Sequence, residues 1–312
     1  MPVDAASPLS PAPVSVLVTV YQRTEFLREA LLSALAQTLP AVEIIVTDDS
    51  DSPALRALCD EFAGSSVRYR SNPERLGVVG NLRAAASEAR GEFLAILNDD
   101  DLWEPEFLAS LVPPLMENTT RVLAFCDHSI IRVDGSQDLI ATEANTRCYG
   151  RHELAPGDHQ NTAHLVLTLN AVPLAMGSVF RKDAVQWSAL PAGVVGAYDY
   201  WISCTLAATG RPFFFCMERL TRYRIHDAME TARQAADKNE NMVFIYRALL
   251  EKVMFPGWEG WLKKSLADAL RACGRDHWRN RKTESARQFF AASCKTRLNA
   301  KAVLGWLLSW TR

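Results

Sequence analysis

Residues 93–101 read Phe93-Leu94-Ala95-Ile96-Leu97-Asn98-Asp99-Asp100-Asp101. Five apolar residues in a row, introduced by Gly91, predict a buried strand, and a strand apolar on both faces belongs to a parallel sheet covered by helices. The chain leaves that strand through three consecutive carboxylates. Adjacent carboxylates repel one another in a low dielectric, so such a cluster is stable chiefly where water solvates it or a cation sits among its oxygens. In open α/β sheets the carboxyl ends of the strands are where ligands bind. Oxygen donors of this kind suit Mg or Mn, ions that pair with a diphosphate. The alternative reading is an acidic strand-to-helix turn in which Asp101 caps a helix starting near Pro105.

Upstream, the pattern alternates. Val14–Val20 (VSVLVTV) predicts a central strand ending at Tyr21-Gln22-Arg23-Thr24, and Leu27, Leu31, Ala34 and Leu35 have helical spacing over Glu25–Gln37. A strand at Val42–Val46 follows, ending in Thr47-Asp48-Asp49-Ser50, so the chain opens as a βαβ unit with carboxylates after its second strand. Pro53–Ala63 reads as a helix, Val67–Tyr69 as a short strand, Asn72–Gly77 as a turn-rich loop carrying Arg75, and Gly80–Ala89 as a helix. Downstream, Glu106–Asn118 is a predicted helix, and Val122–Cys126 and Ser129–Val133 are separate strands. Ile140–Gln160 mixes Gly and Pro with polar residues and reads as one long loop of the kind that serves as an active-site lid. Helical spacing returns at Thr162–Leu169, and a helix runs from Gly193–Trp201 to about Ala208. Strands follow at Phe213–Cys216 and Leu220–Asp227. Helices fill the remainder, over Ala232–Met254, Trp258–Ala272, Glu284–Ala292 and Ala300–Trp310, the last two able to form a helical hairpin. The expected architecture is α/β: a Rossmann-like, mixed and mostly parallel sheet flanked by helices, with a C-terminal helical appendage.

Composition narrows the class. At 312 residues with 48% hydrophobic content the chain is long enough to bury a large core. No apolar run approaches the roughly 18 residues that a spanning helix needs, and no basic-then-apolar leader opens the sequence. Seven scattered cysteines without a Cys-x-x-Cys pair suit a reducing compartment and argue against a zinc ribbon or a disulfide framework. Residues 1–13, with four prolines among Ser and Ala, predict a loose tail. The overall charge of -2 hides an asymmetry: Lys252–Arg312 holds 13 basic and 4 acidic residues, a net of +9, against -11 for positions 1 to 251. Nucleic acid is not an expected partner, because the body is acidic and the basic region lacks an aromatic-interleaved strand platform.

Taken in order, the chain resembles a family 2 glycosyltransferase of the GT-A fold. The stretches that carry the resemblance are Val16–Arg23 (VLVTVYQR), Ser33–Gln37 (SALAQ), Glu43–Ser50 (EIIVTDDS), Asn72–Asn81 (NPERLGVVGN) and Gly91–Asp101 (GEFLAILNDDD). It covers residues 14–230, divided at 101 into a nucleotide-sugar half and an acceptor half, and leaves 231–312 as a basic helical region. The resemblance implies inverting transfer of a sugar from a UDP- or TDP-sugar to an acceptor hydroxyl, with Mn2+ or Mg2+. Tyr21 would lie beside the base, Asp49 assisted by Asp48 would accept from the ring N–H, and Arg75 would reach the nucleotide or its phosphates. Asp101 would hold the cation most closely, Asp99 would meet the ribose or the cation, and Asp100 would face the sugar. Asp199, at the start of a helix on the acceptor side, would be the general base, kept ionised by the helix terminus. The family's commoner Glu-Asp pair is Tyr198-Asp199 here, so a second acid is missing. His226, in Tyr223-Arg224-Ile225-His226, would be a further metal ligand; His128 and His152 receive no role.

Each of these residues also has a plainer reading: Tyr21 as part of the core, Asp48 and Asp49 as turn formers, Arg75 as a surface cation, Asp199 as a helix cap. In the last helix, Val303, Leu304, Leu307 and Leu308 share one face, flanked by Trp306 and Trp310, with Lys295, Arg297, Lys301 and Arg312 nearby. That is the composition of an interfacial helix, and packing on the catalytic domain is its alternative. The sequence therefore predicts a cytoplasmic enzyme, peripheral on the inner face of a membrane, acting on a saccharide or lipid-linked acceptor. A catalytically silent scaffold of the same fold and a sugar nucleotidyltransferase are the rival readings. The second lacks its usual Gly-rich loop, since Tyr21-Gln22-Arg23-Thr24 contains no glycine.

Overall fold

A computed structural model describes residues 12–226 and 238–310. Most of the predicted N-terminal tail, the end of the predicted strand at Asp227 and the start of the helix predicted from Ala232 lie outside the described residues. Ala12 and Pro13, read as tail, belong to the first strand, where Ala12 is buried. The described residues form two compact units: 12–190 with 202–226, and 191–201 with 238–310.

The first unit is built on one sheet with strand order β3-β2-β1-β4-β8-β6-β9-β5, and β7 paired to β9. The strands are β1 (Ala12–Val20), β2 (Ala41–Asp48), β3 (Val67–Ser71), β4 (Phe93–Ile96), β5 (Leu102–Trp103), β6 (Leu123–Ile131), β7 (Gly157–His159), β8 (Ser178–Arg181) and β9 (Phe213–Arg224). β1, β2, β3 and β4 pair in parallel, and β6 pairs in parallel with β9. β8 runs antiparallel to both neighbours, as do β5 and β7 against β9. Six of the nine described strands therefore share one direction. β1, β2 and β4 are largely buried on both faces, and helices α1 (Leu27–Leu35), α2 (Pro53–Asp60), α3 (Gly77–Glu88) and α4 (Phe107–Glu117) connect the strands. Local signals agree with the elements: Pro53 stands at the start of α2, where the side chain of Ser52 accepts from the amide of Leu55.

Three differences from the sequence reading lie around β6, β9 and the segment between them. The two strands expected around Cys126 are one, β6, carried through by register shifts at Asp127 and His128, and β9 likewise continues unbroken from Phe213 to Arg224. The lid-like loop expected over Ile140–Gln160 is instead helix α5 (Leu139–Cys148), a 3-10 turn at Arg151–Glu153 and strand β7. Its periodicity was invisible because α5 buries Thr142 and Thr146 and exposes Leu139 and Ile140, the reverse of an amphipathic helix.

The second unit is helical. α6 (Tyr198–Ala207) begins in it, followed by α7 (Lys238–Glu251), α8 (Glu259–Arg279), α9 (Thr283–Thr296) and α10 (Ala300–Leu308). Val243, Leu266, Leu270 and Cys273 form its core with Tyr246 and Phe289 against them. Tyr246 also meets Tyr200 and Trp261 edge to face. No described helix is long and apolar enough to cross a membrane.

Candidate functional site

Because β1 and β2 are parallel neighbours, with Val20 paired to Asp48, their ends open side by side into the turns at Tyr21 and Asp49. A cleft of about 290 Å³ lies there, lined by Tyr21, Gln22, Asp49, Ser50, Asp51, Asn72, Pro73, Glu74 and Arg75. The Arg75 guanidinium stands 4.5 Å above the Tyr21 ring, so the two expected donor residues form one cation–π pair on the cleft wall. Tyr21 is partly exposed and is not a core residue.

The two neighbouring aspartates have different work. Asp48 is fully buried; Oδ1 accepts from the amide and hydroxyl of Ser50, and Oδ2 from the Ser52 amide and the Tyr69 hydroxyl. A carboxylate has about four acceptor positions, all filled here, so the expected donor contact of Asp48 gives way to a turn-forming role. Asp49 holds the loop that carries Arg75: Oδ1 accepts from Asn72 Nδ2 at 2.8 Å and the Leu76 amide at 2.7 Å, and Oδ2 from the Gly77 amide at 2.8 Å. Gly77 has φ +71°, a conformation that favours glycine. Three bonds leave Asp49 one acceptor position beside the cleft.

The acidic cluster follows β4, and the short β5 immediately after it pairs with β9 through Leu102 and Arg222. That pairing brings the end of β9 onto the cluster. Asp101, expected as the closest cation contact, is fully buried and bonded within the protein. Its Oδ1 accepts from the Arg224 amide at 2.9 Å and its Oδ2 from Asn98 Nδ2 at 2.7 Å. Burial, and then the nearby Asp100 charge, push its carboxyl well above the ordinary range. Asp100 is the carboxylate that faces His226: its Oδ2 lies 3.1 Å from His226 Nε2 and 3.0 Å from the Arg23 guanidinium. Asp99 also pairs with Arg23, which donates from Nε at 3.1 Å and in a second contact from Nη2. Burial raises the Asp99 carboxyl, while Arg23 pulls the other way. Burial likewise opposes the Arg23 charge, but Asp99 and Asp100 outweigh it and hold the guanidinium above its usual value.

Sequence reasoning gave no role to Arg23 or Arg224, although both stand in the quoted motifs. Their signal was positional: Arg23 follows β1, and β1 is the direct partner of β4, whose end carries the aspartates. Arg224 is buried, donates from Nε to the Asp100 carbonyl at 3.0 Å, pairs with Glu29 at 2.7 Å and lies 4.4 Å over the Phe26 ring. It fixes the backbone that presents Asp100.

Among the described residues no three His, Cys, Asp or Glu side chains converge as a ready cation cage. Two do converge, Asp100 and His226, a hard oxygen and an imidazole nitrogen. Mg2+ and Mn2+ are commonly held by one or two protein donors with substrate phosphates and water completing the shell, so this donor set fits such an ion.

In the second unit, Asp199 lies in the first turn of α6, directly after the 3-10 stretch Ala192–Ala197, and its Oδ1 accepts from the Tyr200 amide at 2.8 Å. Its carboxyl is raised, chiefly by burial, against the lowering pull of that amide and of Lys238. The expectation that the helix terminus would keep it weakly basic is thus corrected: desolvation wins, and the carboxylate is more basic than usual.

The family model for glycosyl transferase family 2 matches residues 15–185. An uncharacterized glycosyltransferase of Rickettsia typhi is 27% identical over 253 residues, 80% of this chain and 72% of the relative. One from a Nostoc species is 28% identical over 244 residues, 73% of this chain and 69% of the relative. Staphylococcus aureus TarS 1-349 in complex with UDP superposes with a TM-score of 0.63 at 16% identity, covering 95% of this chain and 89% of that one. The mannosyltransferase PcManGT of Pyrobaculum calidifontis, in complex with GDP-Man and Mn2+, superposes with a TM-score of 0.58 at 17% identity, covering 100% and 83%. The structural likenesses identify the fold as GT-A.

Proposed function

The chain belongs to glycosyl transferase family 2, and from that premise we propose that it is an inverting glycosyltransferase that moves a sugar from a UDP- or TDP-sugar to the hydroxyl of a saccharide or lipid-linked acceptor in the cytoplasm. The observation that carries the reading is the convergence of Asp100, His226 and Arg23 at the carboxyl ends of the strands, where the Tyr21–Arg75 cleft also opens. A pyrimidine stacks on Tyr21, its ring N–H donates to the remaining acceptor position of Asp49, and Arg75 caps the nucleotide. Asp100 and His226 would hold a divalent cation, which when bound would supply stabilisation of the charge developing on the leaving nucleoside diphosphate without moving a proton. Arg23 neutralises the excess acidity that Asp99 and Asp100 impose, and it keeps both carboxylates fixed for the donor. Asp199 takes the proton of the acceptor hydroxyl as its oxygen attacks the anomeric carbon in line, and its raised pKa makes it the better base for that step.

The test is Asp199→Asn with a panel of nucleotide sugars. Transfer should fall by about 10²–10⁴-fold, while calorimetric binding of UDP with Mn2+ stays within about twofold. Wild-type turnover in that variant removes Asp199 from the mechanism. Absence of metal-dependent UDP binding by the wild-type chain would favour the catalytically silent scaffold.

A further inference from the structure

Helix α10 is seated the wrong way round for a helix in a globular core. Its side chain cap is ordinary, Asn299 accepting from the Ala302 amide at 2.9 Å. Inward, however, it turns Ala302 and Ser309, both fully buried, and Gly305. A Cβ built on Gly305 would come within 2.6 Å of the Phe290 ring in α9, so only glycine allows this depth of seating. The Ser309 carbonyl accepts from Arg287, whose guanidinium lies 4.1 Å over the Trp310 ring and fixes the end of the segment. Outward go the large apolar side chains: Val303, Leu304, Leu307, Leu308 and Trp310, with Leu298 just before the helix, are between 36% and 81% exposed. An amphipathic surface helix does the opposite, hiding its leucines and showing small or polar residues. Exposed Lys295 and Arg297 stand just before this helix and exposed Lys301 in its first turn, and the segment Lys252–Arg312 carries a net charge of +9.

We propose that the outward face of α10 is a docking surface for an anionic lipid bilayer, into which Leu304, Leu307, Leu308 and Trp310 insert at headgroup depth while Lys295, Arg297 and Lys301 contact lipid phosphates. Charge selects this occupant. A Trp- and Leu-bearing face with Lys and Arg close by in sequence matches an anionic interface, whereas a second copy would bring two segments of +9 against each other. Docking is independent of the transferase reading, and it would hold an enzyme of that kind where lipid-linked acceptors present their sugars.

The experiment is flotation of the full chain with vesicles of phosphatidylcholine alone or with 30 mol% phosphatidylglycerol. Binding is expected to require phosphatidylglycerol and to weaken at 0.5 M NaCl. The double variant Leu304→Glu/Leu307→Glu should partition at least about tenfold less, and the triple variant Lys295→Glu/Arg297→Glu/Lys301→Glu on the order of 100-fold less. Both variants should keep the wild-type melting temperature and UDP affinity, which separates failure of docking from failure of folding or of the donor site. The proposal is overturned if the wild type ignores phosphatidylglycerol vesicles, or if the leucine variant still floats. It is equally overturned if sedimentation without lipid shows a dimer that the leucine variant dissolves.

Discussion

Two clusters of buried carboxylates and arginines lie in the same unit, and they are poised in opposite directions. Around Asp127 the charges are satisfied: its Oδ1 accepts from Arg151 at 2.6 Å, its Oδ2 from Thr146 at 2.7 Å and from Arg219 at 3.2 Å, and Arg219 reaches on to Glu143. Burial opposes the Asp127 charge, but Arg151 and Thr146 outweigh it, so the carboxyl sits below its ordinary value. Around Asp99–Asp101, among the described residues, the Arg23 guanidinium meets Asp99 and Asp100 but not Asp101, while the Arg224 guanidinium is directed to the Asp100, Arg132 and Val133 carbonyls and to Glu29. Burial there leaves Asp99 and Asp101 raised. The same residue types thus build a closed structural network in one place and an electrostatic deficit in the other. Only the second has reason to recruit a cation.

The sharpest break of this contrast is a pair of substitutions. Asp100→Ala should lower transfer by roughly 10³-fold and leave the urea midpoint nearly unchanged. Asp127→Ala strands Arg151 in the interior and should cost about 3–5 kcal/mol of stability, with the surviving folded fraction still active. Denaturation curves and initial rates on the two variants decide it; if the effects are exchanged, the assignment of the two clusters is reversed.

A second difference lies in acid. His128, buried beside Asp127 with Nδ1 unpaired among the described residues, is pushed down to about 3 by burial and then by Arg151. The unfolded chain then binds the extra proton between pH about 6.5 and 3, so stability attributable to His128 is present above that window and lost as the pH falls through it. Asp99 and Asp101 have the opposite sign. Their folded carboxyls are raised, so their contribution is greatest at low pH and declines as the pH rises above the unfolded value near 3.9. In melts recorded from pH 7 to 4, His128→Asn should flatten the loss of stability on the acid side, at most on the order of 1.4 kcal/mol per pH unit. An unchanged slope would show that His128 does not titrate with unfolding.

The smallest effect belongs to the cleft. Arg75→Ala removes the cation over Tyr21 and should weaken UDP binding about three- to tenfold, consistent with roughly 1 kcal/mol for a partly exposed cation–π pair. Calorimetry checks it, and a melting temperature within a degree or so of wild type would confine the change to the nucleotide.

The donor side of the fold was legible because its central strands β1, β2 and β4 are buried on both faces, and continuous apolar runs such as Phe93–Leu97 need no partner to be recognised. β5, β7 and β8 were not. They are two to four residues long and exist through antiparallel pairing, which local pattern does not encode. Within the site, sequence order revealed which acids cluster but not how they divide the work. Asp101 and Asp100 are adjacent in sequence, and what separates them is the β5–β9 pairing that brings the Arg224 amide to one and His226 to the other. The basicity of Asp199 was misjudged for a related reason. A helix terminus is visible in sequence, whereas the desolvation that outweighs it arises from tertiary burial.

The three bonds that Asp49 accepts from Asn72, Leu76 and Gly77 have a kinetic meaning. The loop bearing Arg75 is tied down before any nucleotide arrives, so association need not wait for that segment to order, and little conformational entropy is lost when it closes on a ligand. Discrimination among nucleotides at this cleft should then be written in residence times, with arrival rates nearly uniform across bases.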